Sequence, residues 1–97
     1  MIKLLLVDTS NRKNKRLKAI FDINGKIKEV HFGSKGSQTF IDHNDKNKKR
    51  NFIKRHLNNL YKFQGDPLAP VNLSTYLLWS EENLHKAIIS FKKMFNV

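Results

Sequence analysis

The sequence predicts an α+β fold: a small antiparallel sheet of three or four strands around a central Asn-Gly hairpin, followed by two or three helices on one face. Three observations predict it. Two runs of alternating apolar and polar residues, 16–23 and 26–32, flank Asn24-Gly25. Helical spacing of apolar residues begins only after residue 42. With 97 residues, 39% of them apolar and ten aromatic, the chain can fill one core but not two. Residues 1–97 therefore read as a single domain, with the sheet in 1–41 and the helical part in 42–97.

The elements follow in order. Residues 2–7 (Ile-Lys-Leu-Leu-Leu-Val) have the character of a short buried strand. Residues 8–16 are polar and basic, and read as a loop. Asn24-Gly25 suits a type I′ turn, in which both central residues take positive φ. Such a turn pairs Ile23 with Lys26 and Leu17 with Phe32, and puts Leu17, Ala19, Phe21, Val30 and Phe32 on one face. Residues 33–37 form a turn, and 38–41 (Gln-Thr-Phe-Ile) supply a short fourth strand. Asp42 or Asn44 caps a helix over about 44–60, with an apolar stripe of Phe52, Ile53, Leu57 and Leu60 beside His56. Gly65, Pro67 and Pro70 punctuate a connector. A short helix over about 72–78 follows, carrying Leu73, Tyr76 and Leu77. Ser80 caps a last helix, 81–95, whose core stripe is Leu84, Ala87, Ile88, Phe91 and Phe95. Trp79 serves as a core anchor between the last two helices.

Composition narrows the chemistry. The chain has no cysteine, which excludes a disulfide framework and a thiolate zinc site and favours a reducing compartment over secretion. Met1 to Val7 is too short for a signal peptide, and no apolar run reaches bilayer-spanning length. Net charge is +11, and it is uneven: residues 1–62 hold 16 Lys/Arg against 5 Asp/Glu, whereas 63–97 balance. An anion-binding part and a neutral packing part account for that asymmetry. The competing account is a solubility device, or the lysine-rich coding of an AT-rich genome.

The candidate binding residues fall in two clusters. Arg12, Lys13, Lys15, Arg16 and Lys18 lie in the loop and the strand after it. Lys46, Lys48, Lys49, Arg50, Lys54 and Arg55 lie on the first long helix, where like charges at Lys46, Arg50 and Lys54 repel unless an anion relieves them. A solvated charged face is the plainer alternative. Only four of the nineteen cations are arginine, and no aromatics interleave with the basic run 42–51. Lysine suits phosphates rather than a guanine edge, so phosphate contact without sequence preference is expected. Gly33, Ser34, Lys35 and Gly36 make a candidate phosphate turn, although the glycine spacing is not that of a P-loop and a plain tight turn is the simpler reading. Asp42-His43 with His56 resembles part of a metal-dependent nuclease site, but the spacing is too compressed. No metal, cofactor or catalytic residues are therefore expected, and His31 is expected to meet Asp42 or His43 in a structural hydrogen bond.

The string His31-Phe32-Gly33-Ser34-Lys35-Gly36-Ser37-Gln38-Thr39-Phe40-Ile41-Asp42-His43, with Lys49-Arg50, Arg55-His56 and Leu77-Leu78-Trp79, resembles a family of small uncharacterised proteins of nucleocytoplasmic large DNA viruses, the giant ones included. Related-looking short proteins occur in tailed phages. The resemblance spans about residues 15–95, and residues 57–70 depart from its more polar, Trp-containing connector. It transfers no catalytic residues. It implies a viral setting: a protein of the virion and of the host cytoplasm or viral factory. The expectation is a non-catalytic, basic, virion-associated protein that binds nucleic acid through phosphates. The alternatives are a minor capsid protein meeting acidic virion proteins or membrane headgroups and, more weakly, a metal-dependent nuclease.

Overall fold

The computed structural model describes residues 1–97. Three strands, β1 (Ile2–Thr9), β2 (Lys15–Ile23) and β3 (Lys26–Ser34), form one antiparallel sheet in the order β1-β2-β3. Four helices follow: α1 (Phe40–His43), α2 (Lys46–Lys62), α3 (Pro70–Leu78) and α4 (Leu84–Phe95). The α+β architecture is the one the sequence predicts.

The hairpin forms as its turn chemistry dictates. Asn24 and Gly25 take φ of 53° and 90°, and the register pairs Ile23 with Lys26 and Leu17 with Phe32. The alternation then buries Leu17, Ala19, Phe21 and Phe32 on one face. These residues meet Leu73, Leu77 and Leu78 of α3, and Ala87 and Phe91 of α4, in a single core cluster. Gly33 is fixed by this packing. Its φ is +77°, and a Cβ there would stand 2.9 Å from Leu78 Cδ1.

Several expectations are corrected. Strand β1 is an edge strand rather than a buried one: Leu4 faces the core, while the pairing slips between Leu4 and Leu6 and leaves Leu5 and Leu6 half exposed. Residues 38–41 are not a fourth strand. Thr39 caps α1, and Asp42 returns to the Thr39 N–H at 2.7 Å in a capping box, so this Thr-x-x-Asp is a helix start. Asn44 closes α1 in the left-handed region, and Asp45, not Asp42 or Asn44, caps α2. The last helix starts at Leu84 with Asn83 as its cap. Ser80 instead donates its hydroxyl hydrogen to the Tyr76 carbonyl at 2.7 Å. His31 meets Ser10 Oγ at 2.7 Å rather than Asp42 or His43.

The connector before α3 is held from within. Buried Asn72 donates to the Phe63 carbonyl at 2.8 Å and the Asp66 carbonyl at 2.7 Å, which ties the chain around Gly65 to α3.

Candidate nucleic-acid cleft

A cleft of about 620 Å³ opens where the end of β3, the turn after it, α2 and one side of α3 meet. At 3.6 residues per turn, Lys48, Asn51, Phe52, Arg55, His56 and Asn59 of α2 fall on one stripe, and all six line the cleft. Lys15, on the same face of β2 as Leu17, lines the facing side. The lining thus carries three cations from the two basic clusters, polar amides and hydroxyls, and no carboxylate. Such a lining favours an anionic group.

The aromatic floor joins residues far apart in sequence. The Phe52 ring is stacked between His56, with centroids 4.1 Å apart, and Trp79, at 4.5 Å. His43 meets Trp79 edge-on at 5.5 Å. Trp79 therefore anchors α1 and α2 onto the end of α3, rather than joining α3 to α4. His56 Nδ1 donates to the Phe52 carbonyl at 2.8 Å, which fixes its ring on the stack. His43 Nδ1 accepts the Asp45 N–H at 2.9 Å. Of the three histidines, His31 meets Ser10, whereas His43 and His56 lie along one aromatic row with Trp79 and Phe52 between them, His43 bonded to the Asp45 N–H and His56 to the Phe52 carbonyl.

The other predicted cations are placed elsewhere. Arg16 forks onto Asp42 at 2.8 and 2.9 Å and reaches Thr39 Oγ1 at 3.0 Å, so it braces the start of α1. These hydrogen bonds hold the Asp42 carboxyl below its ordinary pKa. Lys49 donates to the Ser80 carbonyl at 2.8 Å and lies 4.8 Å above the Phe40 ring. Lys18 points to the outer face of the sheet, where Glu29 pairs with it at 2.9 Å and raises its pKa. On that side burial and the Arg12 charge lower the pKa of His31. Arg12 and Lys13 are exposed in the loop and do not line the cleft. Lys46, Arg50 and Lys54 are exposed and fall roughly on the opposite side of α2 from Lys48 and Arg55.

The candidate phosphate turn is partly engaged within the fold. Gly33 and Ser34 line the cleft. The Lys35 N–H donates to the Asn14 carbonyl at 3.3 Å, and the Ser37 N–H to the Ser34 carbonyl at 3.3 Å. The start of α2 is likewise occupied, since Asp45 accepts from the Asn47 and Lys48 N–H groups and its pKa falls accordingly. Anion attraction in the cleft therefore comes from the side chains of Lys15, Lys48 and Arg55.

The family described as a family of unknown function (DUF5754) matches residues 5–56, just over half of the chain. The chain belongs to this family. The matched segment runs from β1 into α2 and includes Lys15, Lys48 and Arg55, while Trp79 and the α3 side of the cleft lie beyond it. No curated protein and no solved structure matches the chain. No helix is long and apolar enough to cross a membrane.

Proposed function

We propose that this DUF5754 member is a non-catalytic nucleic-acid-binding protein that holds phosphates in the α2 cleft with little sequence preference. The observation that carries this reading is the convergence of Lys15, Lys48 and Arg55 on a lining without carboxylates. Lysine and arginine gain by releasing the counterions of a phosphate chain, whatever its bases. The amides of Gln38, Asn51 and Asn59 each carry both donors and acceptors, so they fit any base edge. The virion setting rests on the family resemblance alone, carried by residues 31–43 with Lys49-Arg50, Arg55-His56 and Leu77-Leu78-Trp79, and a genome-bound protein suits it.

A salt series tests the reading. Fluorescence anisotropy on a labelled oligonucleotide is expected to show binding at low salt that weakens with added salt. Three single-strand phosphate contacts correspond to a slope of log K against log salt of roughly −2. Scrambling the base sequence should leave the affinity nearly unchanged. No binding at low salt, or binding indifferent to salt, would overturn it. A second reading, a structural protein docking through its sheet edge, draws on Leu5 and Leu6, which are 50% and 48% exposed on β1.

A further inference from the structure

Resting on that reading, we infer that the cleft seats an unpaired nucleotide, so that the protein selects single-stranded over double-stranded nucleic acid. The shape of the site is the first reason. A half-open cleft of about 620 Å³ is large enough to receive a small organic group. A duplex shows its phosphates on a stiff, convex cylinder with its bases paired inside, and must unstack and unpair a base to lower it into such a space. A flexible single strand can lay a phosphate on the cations and turn its base inward.

The second reason is the division of chemistry within the cleft. Lys15 stands on one wall, and Lys48 and Arg55 on the other. On the α2 wall, beside Lys48 and Arg55, stand uncharged groups suited to a base: the amides of Asn51 and Asn59 and the ring of His56. The aromatic rings hold α2 against the end of α3, and Trp79 is buried, so the ring left beside the space to meet a base is that of His56. Both ring faces of Phe52 are already covered, so the rings present edges and the half-buried His56 to the space.

The third reason is what the remaining cations do not form. A duplex is best met by a broad basic plane. Here Lys46, Arg50 and Lys54 fall behind α2, Lys18 is paired with Glu29 on the outer sheet face, and Arg16 and Lys49 are bound within the fold. Arg12 and Lys13 are exposed in the loop outside the cleft, so the cations that share a concave space with base-sized polar groups are Lys15, Lys48 and Arg55.

The test compares four probes on the full chain at one low salt concentration: a labelled oligo-dT strand, a duplex of the same length, an abasic strand of equal phosphate count, and thymidine monophosphate as competitor. The oligo-dT strand is expected to bind about tenfold tighter than the duplex, and the abasic strand at least about fivefold weaker than oligo-dT, because a base seated in the cleft contributes on its own. The monophosphate should compete only at far higher concentration, since it lacks the strand's neighbouring phosphates. Replacing Lys15, Lys48 and Arg55 together by Gln should weaken oligo-dT at least about tenfold and erase the preference. Replacing Lys46, Arg50 and Lys54 by Gln removes the same charge and should cost less than about threefold. Circular dichroism of both triple variants reports that the fold is kept.

Equal binding of strand and duplex, an abasic strand as good as oligo-dT, or a monophosphate as good as the strand would each overturn the inference while leaving phosphate binding intact. Equal losses in the two triple variants would remove the cleft as its seat. Absence of binding by every probe would instead defeat the functional reading beneath it.

Discussion

Helices α2 and α4 are similar at first sight, each amphipathic and capped by a side-chain oxygen, yet they are held to the protein in different ways. Helix α4 has twelve residues and sinks Ala87 and Phe91 fully into the core. Helix α2 has seventeen and buries none fully. It is attached by the Phe52 ring on Trp79, by Lys49 on the Ser80 carbonyl, and through α1. One helix is structural ballast, and the other is a wall whose inner face is left open. The comparison teaches that a long, strongly charged helix can be retained with little burial, which leaves a lined cleft beside it.

The sharpest way to break this contrast is through the core. Phe91→Ala should lower unfolding stability by about 3–5 kcal/mol in a denaturant titration, because a fully buried ring leaves a cavity. Phe52→Ala, which removes the middle of a half-buried stack, should cost roughly 1.5–3 kcal/mol. If the two losses were equal, α2 would be as deeply integrated as α4, and the open wall would be a misreading.

A smaller effect tests how α1 joins the wall to the sheet. Asp42→Asn removes charge from both the capping box and the Arg16 fork, and should cost about 1–2 kcal/mol at neutral pH. The Arg16 hydrogen bonds hold the Asp42 carboxyl below its ordinary value, so the folded state binds this proton less readily than the unfolded chain. Its contribution is therefore complete above the unfolded pKa of about 4 and is lost as the pH falls through the lower folded value. Thermal melts of wild type and Asp42→Asn should differ at pH 7 and converge near about pH 2. A constant gap across that range would mean that the ion pair contributes nothing.

The smallest effect has the opposite sign. Arg50→Gln relieves repulsion with Lys46 and Lys54 on the outer face of α2, and should raise stability by about 0.2–0.5 kcal/mol. A loss of stability on that substitution would show that the outer face holds a partner within the fold.

These particulars also show how far the sequence could be read. The hairpin was legible because Asn24-Gly25 sets its register locally, needing nothing from the rest of the chain. The start of the helical part was less so, because Asp42, Asn44 and Asp45 are all capping residues and Thr39 with Asp42 spells a helix start inside a strand-like run. Leu57, expected in the core, is 53% exposed, since contact with Trp79 turns the Phe52 and His56 side of α2 inward. The cleft was hidden because it joins Lys15 to Trp79 across most of the chain. One signal was available: Lys48, Asn51, Arg55 and Asn59 share a helical stripe that excludes Lys46, Arg50 and Lys54, so the basic run was already two faces and not one.

The most direct test of the cleft as the binding face is a nitrogen–proton correlation spectrum of the full chain, titrated with oligo-dT at low salt. The account predicts that shifted amides cluster at Lys15, in the turn around Ser34 to Thr39, at Lys48, Asn51, Arg55 and Asn59, and at Ser74 and Trp79. Lys46, Arg50, Lys54 and the outer sheet residues Lys18 and Glu29 should stay near their starting positions. Shifts centred on the outer face of α2 or of the sheet, with the cleft silent, would contradict it.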